Sequence, residues 1–231
     1  MFRKLLSGLS GRLPSQCAVC HAWPSRAVCD DCVQRFGQPV PRCHTCALPL
    51  LAGLRQCGAC LLKPPPIDQA LAAVTYGFPW SSLTTQFKFR EHTGWSRSFA
   101  ILMRSAPWVE PALESADWLL PMPLSRSRLL ERGFNQALLL ARALEPGKVR
   151  ASMLLRVKDT QPQSSLPRKE RLLAVQGAYA LEPACLTQVQ GKRIVLVDDV
   201  MTTGASLHAA AATLRRAGAA HITAIVFART E

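Results

Sequence analysis

The chain has 231 residues, 48% of them hydrophobic, enough for a sizeable core in one main domain with a small appendage. Lys and Arg number 28 against 15 Asp and Glu, and the net charge of +13 favours anionic partners, whether a polyphosphate ligand or a nucleic acid. No apolar run approaches ~20 residues, and Met1 to Leu13 lack the apolar core and cleavage site of a secretory signal; neither a membrane span nor export is expected, and the expected location is cytoplasmic.

Eight of the nine cysteines fall into four Cys-x-x-Cys pairs: Cys17/Cys20, Cys29/Cys32, Cys43/Cys46 and Cys57/Cys60. A disulfide framework needs an oxidising compartment, which nothing else in the chain suggests. Two thiolates of one such turn can face a single tetrahedral centre, so eight ligands suggest two zinc ions. The simplest assignment gives one ion to Cys17, Cys20, Cys29 and Cys32 and the other to Cys43, Cys46, Cys57 and Cys60; the spacing also admits the interleaved pairing. Redox or iron–sulfur use is the rival, without a visible fold context. His21 and His44 stand beside ligands and could substitute for one, but are read as neighbours of the site or surface residues, and Cys185 as a small core residue. About 60 residues with few large apolar groups need the folding energy of metal, so the zinc is expected to be structural.

The run Lys63-Pro64-Pro65-Pro66 can continue neither a helix nor a central strand. It places a domain boundary between a cysteine-rich module over 1–63 and a second domain over 67–231. There Ala70 to Tyr76 reads as a strand, Trp80 to Phe89 and Arg97 to Met103 as helical, and Trp118 to Pro121 as a strand. Asn135 to Leu144 is a helix with an Asn cap. Arg193 to Val197, Ala205 to Ala217 and Ile222 to Phe227 follow as strand, helix and strand, with Gly218 suited to the helix carboxyl terminus. Such alternation implies an α/β fold with a mostly parallel sheet flanked by helices.

Three segments carry chemistry. From Pro121 to Val175 there are 11 basic residues against 4 acidic ones. Within it, Arg126, Arg128 and Arg132 lie in a segment read as a loop between a strand and a helix, where guanidinium forks and backbone N–H groups could hold a pyrophosphate. The bland alternative is an arginine-rich surface turn. Next, Arg156 to Tyr179 reads as a long mobile loop, and closing Arg168, Lys169 or Arg171 over a leaving pyrophosphate would neutralise charge and exclude water; a solvated linker is the alternative. Last, Ile194 to Val197 reads as a buried strand that ends in Asp198 and Asp199, ahead of Thr202-Thr203-Gly204 and a helix. Ligands bind outside the carboxyl ends of parallel strands, and a helix amino terminus offers N–H groups to phosphate. Thr202, Thr203 and Ser206 add hydroxyls, Gly204 allows close approach, and two carboxylates suit vicinal ribose hydroxyls. A Walker B strand or a magnesium-holding acidic pocket is the rival, but no Gly-x-x-x-x-Gly-Lys-[Ser/Thr] occurs upstream. A plain strand-to-helix turn, capped by Asp198 and Thr202, is the structural alternative.

The Asp-Asp-Val-Met-Thr-Thr-Gly segment resembles the phosphoribosyl pyrophosphate (PRPP) motif of type I phosphoribosyltransferases. Together with Pro-Met-Pro-Leu at 121–124, Glu-Arg-Gly-Phe-Asn-Gln at 131–136, Gln-Pro-Gln-Ser-Ser-Leu at 161–166 with its following Arg-x-x-Arg, Lys88-Phe89-Arg90 and the cysteine pairs, it is similar to the ComF family over nearly the whole chain. The resemblance implies a type I phosphoribosyltransferase-like domain behind an amino-terminal zinc-ribbon module. By it, Asp198 and Asp199 contact the ribose, and Thr202, Thr203, Gly204, Ala205 and Ser206 the 5-phosphate. It further implies Mg2+ with PRPP, and a role in handling single-stranded DNA during natural transformation, alongside other DNA-uptake proteins. The acceptor of any ribosyl transfer is not legible. A nucleic-acid-binding protein that keeps the pocket for regulation or structure is the second reading, with Trp23 as a candidate stacking residue.

Overall fold

The computed structural model describes residues 15–89, 93–158 and 177–231 and divides into two units, Met1–Gln38 and Pro39–Glu231. In the smaller unit Ser15 and Ser25 exchange backbone hydrogen bonds of 3.0 and 2.7 Å. The extended Cys29 then caps helix α1 (Asp30–Phe36), its Sγ accepting from the N–H of Cys32 at 3.4 Å. Asp30 and Asp31 in the first turn and Arg35 in the last match the helix dipole. Among the described residues its buried apolar groups are only Cys17, Val28 and Cys32, too few for an independent hydrophobic core.

The larger unit opens with a second cysteine-bearing turn and helix α2 (Gly58–Leu62), followed by strand β1 (Gln69–Thr75). Helices α3 (Trp80–Phe89), α4 (Trp95–Ser105) and α5 (Val109–Ser115) lead to β2 (Trp118–Pro121). Helices α6 (Arg126–Arg132) and α7 (Gln136–Leu144) precede the short strands β3 (Leu154–Arg156) and β4 (Tyr179–Leu181). Strand β5 (Arg193–Met201), helix α8 (Ala205–Arg216) and strand β6 (His221–Arg229) close the chain. The main sheet has the order β1-β6-β5-β2 with every pairing parallel, while β3 and β4 form a separate antiparallel pair.

Both faces of the sheet are covered. On one, α3 and α4 lay Trp80, Phe87 and Phe99 around Phe227 of β6; the rings of Phe99 and Phe227 stack 3.8 Å apart, and Trp80 meets Phe227 edge-on at 5.7 Å. Neighbouring residues on a strand point to opposite faces, so Ile222, Ala224 and Val226 turn the other way and pack with Leu207, Ala210, Ala211 and Leu214 of α8. Burying these side chains stabilises the unit by about 1.5–3 kcal/mol for each large one.

The second cysteine quartet belongs to this core. Cys43, Cys46 and Cys60 lie in the same apolar cluster as Ile67 and Leu207. Arg229 Nε donates to the carbonyl of Cys46 at 2.8 Å, and the N–H of Ala70 to that of His44 at 2.8 Å. The two compact units divide before Pro39, and the second quartet lies in the larger one. Cys185 is half-buried against the same cluster.

Two elements depart from the sequence reading. The segment of Arg126, Arg128 and Arg132 is a helix and not a loop: Ser125 caps α6 by accepting from the N–H of Arg128, and Gly133 ends it at φ +74°. Strand β5 continues past Val197 through both aspartates to Met201, because β6 is equally long and pairs with it up to Met201 opposite Arg229. Arg90, Arg168, Lys169 and Arg171 lie outside the described residues, as does most of the segment read as a long loop. Among the described residues no helix is long and apolar enough to cross a membrane.

Candidate functional site

Strand β5 carries two adjacent carboxylates to the carboxyl end of a parallel sheet. Asp198 Oδ1 accepts from the N–H of Asp199 at 2.9 Å, and Asp199 Oδ1 from that of Val200 at 2.8 Å. Lys88, in the last turn of α3, places Nζ 3.0 Å from Asp199 Oδ2. Burial first, and the neighbouring charge of Asp199 second, push the Asp198 carboxyl up to about 7; the N–H of Asp199 and the Lys88 ammonium work against them. Two crowded carboxylates of this kind gain from any partner that donates hydrogen bonds or positive charge.

Behind them the chain turns through Thr202, Thr203 and Gly204 into the amino terminus of α8. Gly204 sits at φ +78°, and a Cβ there would come within 2.5 Å of Met201 Cε and 2.8 Å of His208 Nε2. The turn thus requires glycine twice over, for its backbone and for the ring packed against it. Thr203 Oγ1 accepts from the N–H of Ala205 at 3.3 Å. Burial and the nearby Arg229 lower His208 to about 4, so its imidazole is neutral at physiological pH. The first-turn N–H groups of a helix have no partner within it. Thr202, Thr203, Ala205 and Ser206 are thereby grouped at the amino terminus of α8, the end of a helix that favours negative charge.

Helix α6 sorts the three arginines. Arg128 and Arg132 are four residues apart and share a face, whereas Arg126 is exposed and off it. Arg132 donates to Gln136 Oε1 at 3.2 Å, and Gln136 Nε2 to the carbonyl of Lys88 at 3.4 Å. A chain of contacts therefore runs from α6 to Asp199. The half-buried Arg128 is held below the usual guanidinium range by burial and by the charges of Arg156 and Arg132. Arg156 and Tyr179 face each other across the β3–β4 pair, the guanidinium 5.8 Å from the ring centroid. Tyr179 is buried and hydrogen-bonded to Ser206, and burial raises its hydroxyl above the usual phenol range.

Lys88, Arg156, Tyr179 and His208 thus surround the motif without having been assigned site roles from the sequence. Lys88 had a signal in the Lys-Phe-Arg triplet. Two three-residue strands offer no periodicity from which Arg156 and Tyr179 could be paired.

The cysteines sort into the sequential quartets, with the sulfurs of each set all within 4.8 Å of one another. Cys17 and Cys32 are 3.9 Å apart, Cys20 and Cys29 3.6 Å, and Cys46 and Cys57 3.7 Å. Zn–S bonds of about 2.3 Å at tetrahedral angles separate sulfurs by about 3.8 Å. Burial opposes ionisation of Cys17 and Cys43, yet backbone N–H groups, with a Thr45 hydroxyl at Cys43, bring both down to about 6. Cys32 and Cys46 are driven up by burial and by those neighbouring thiols. Sulfurs crowded in this way fit a tetrahedral cation. Trp23 is 64% exposed in the smaller unit, and His21 and His44 are exposed beside their quartets.

Residues 129–231 match the phosphoribosyl transferase domain. The chain is 31% identical to the DNA utilization protein YhgH of Salmonella typhimurium over 94% of its length and 98% of that protein. It is 31% identical to competence protein F of Haemophilus influenzae over 84% of this chain and 87% of that one. Competence protein ComFC of Bacillus subtilis is 40% identical over 44% of this chain and 40% of its own. Matched almost end to end by a DNA utilization protein and over more than four fifths of its length by a competence protein, and carrying the phosphoribosyl transferase domain in its carboxyl-terminal part, the chain belongs to the ComF family.

Proposed function

We propose that the protein binds PRPP with Mg2+ and acts in the handling of single-stranded DNA during its uptake or use. The observation that carries the first half is the Asp198–Asp199 pair, set beside Lys88 and directly ahead of the Gly204 turn. Asp198 and Asp199 accept hydrogen bonds from the vicinal ribose hydroxyls. The amino terminus of α8, with Thr202, Thr203 and Ser206, donates to the 5-phosphate. Arg128, Arg132 and Arg156 form a half-buried cationic cluster suited to the pyrophosphate. Arg126 completes the arginine set at its rim.

The crowded carboxylates suit a hard divalent cation, and bound Mg2+ supplies charge neutralisation of the pyrophosphate. Orientation of the ribose by Asp198 and Asp199 and neutralisation of the pyrophosphate by the arginines are also what a transfer reaction needs, in which the bond from ribosyl carbon to pyrophosphate oxygen breaks as an acceptor attacks. Arg168, Lys169 and Arg171 are assigned to the same anion. Regulatory or structural PRPP binding, without turnover, is the alternative. Titration of PRPP and Mg2+ by calorimetry tests the site: Asp198→Asn with Asp199→Asn abolishes binding while circular dichroism stays native, and unchanged affinity refutes it. Pyrophosphate release across bases, nucleosides and single strands separates transferase from binding protein.

The two quartets each hold a structural zinc ion in this reading, and elemental analysis giving about two zincs per chain supports it. The DNA half rests on the relatives named for DNA utilization and competence and on the +13 charge.

A further inference from the structure

A groove of about 750 Å³ runs along β1, one of the two edge strands of the main sheet, wholly within the larger unit. Ala70, Leu71, Ala72 and Ala73 of β1 line it, three of them with no more than a methyl side chain. One wall is the segment from Pro39 to His44; Leu54, Arg55, Gln69, Pro107 and Trp108 complete the lining. No carboxylate lines it. Arg42 is anchored by donating to the carbonyl of Ala47 and the hydroxyl of Thr75, both at 3.1 Å. Arg55 and His44 are exposed, and among the described residues neither arginine has an acidic partner.

Trp108 stands at the rim with 69% of its surface exposed and its backbone at φ +69°. A bulky aromatic is rarely found in this left-handed region, and its placement costs free energy without a packing return. The next residue, Val109, is almost fully buried, so the turn is fixed while the indole is presented outward.

We propose that this groove seats a short stretch of single-stranded nucleic acid, with a base stacked on Trp108 and phosphates held by Arg55 and Arg42. The proposal rests on the DNA-handling reading above and gives it a surface. Cationic grooves with an aromatic platform bind single strands without sequence preference, since every base has a stacking face. A protein strand added to the β1 edge is the competing occupant. It is disfavoured because the N–H of Ala70 is already taken by the carbonyl of His44, and because an acid-free lining with two uncompensated arginines matches a polyanion.

Fluorescence anisotropy of the full chain with labelled oligothymidylate and oligouridylate tests it. Trp108→Ala and Arg55→Glu each weaken binding about tenfold, the loss expected for one stacked base or one phosphate contact. Trp108→Phe stays close to the parent, and Arg55→Ala reduces the slope of log affinity against log salt by about one unit. Arg216→Glu, an equal charge change at an exposed position of α8, has little effect. PRPP titration is unchanged in all of these variants, which excludes global misfolding. If the parent binds and Trp108→Ala and Arg55→Glu bind as well as it does, the groove is overturned and the DNA-handling reading stands. A parent that binds neither oligonucleotide overturns both. Oligothymidylate bound at least as tightly as oligouridylate supports a DNA strand as the occupant; binding of oligouridylate alone overturns the DNA-handling reading on which the proposal rests.

Discussion

Gly204 and Asp198 show how much of the site is decided by single atoms. A methyl group at 204 meets Met201 Cε and His208, and φ +78° already disfavours any side chain. Gly204→Ala therefore costs about 1–3 kcal/mol of stability, seen as a lower melting temperature, and weakens PRPP at least in proportion as the turn is displaced. An unchanged melting temperature and affinity would show that the turn has another way to relax. Asp198 governs pH dependence. Its folded carboxyl titrates near 7 because of burial and Asp199, far above the ordinary value of about 3.9. Between those values the native state holds the proton and the unfolded chain does not, so this group lowers stability as pH rises from about 4 to 7. Ligand binding runs the other way, since the carboxylate is the better acceptor for ribose hydroxyls. Affinity for PRPP should rise as pH passes through about 7, and the rise should be absent in Asp198→Asn. Lys88 opposes the upward shift, so Lys88→Met should move the midpoint to higher pH; a midpoint that stays put would detach Lys88 from the site.

Elements explain which parts of the site could be read from residues alone. The β5 turn was legible because four consecutive apolar residues, two acids and a hydroxyl-rich glycine turn are each a local signal, and the parallel sheet followed from the alternation of such strands with helices. Helix α6 was not, although its signals were present: Ser125 as cap and Gly133 as left-handed terminator enclose only seven residues, and a surface helix of two turns without a buried side chain carries no apolar period. The β3–β4 pair was invisible for a related reason, since three-residue strands owe their pairing to tertiary packing. That pair nevertheless joins Arg156 and Tyr179 to Ser206 in the first turn of α8. Removing the phenol hydroxyl should therefore loosen the turn without opening a cavity. Tyr179→Phe is expected to weaken PRPP by about three- to tenfold, the worth of one hydrogen bond, with its melting temperature within about 2 °C of the parent. Tyr179→Ala would lose both.

At the scale of the whole chain, the two cysteine quartets look alike in sequence and differ in what they hold. Their four-by-four spacing and the proline run at 64–66 suggested one zinc module over 1–63. The first quartet stands in a unit whose buried apolar residues, among those described, are Cys17, Val28 and Cys32. The second is embedded in the core of the larger unit and tied through Cys46 to Arg229 of β6 and through His44 to Ala70 of β1. The binding energy of a structural zinc, about 10–16 kcal/mol in small modules, is folding energy wherever no other core exists. Cys17→Ser with Cys20→Ser should therefore remove about one zinc per chain and make the segment from Ser15 to Gln38 sensitive to protease. The PRPP titration and the melting of the larger unit should not move. Cys43→Ser with Cys46→Ser should remove the other zinc, lower the melting temperature of the larger unit and weaken PRPP, because the carbonyl of Cys46 anchors Arg229 behind the Thr202 turn. Elemental analysis, limited proteolysis and calorimetry on the two variants separate these outcomes. Loss of PRPP binding in the first variant, with the larger unit still melting as in the parent, would mean that the amino-terminal unit takes part in the site.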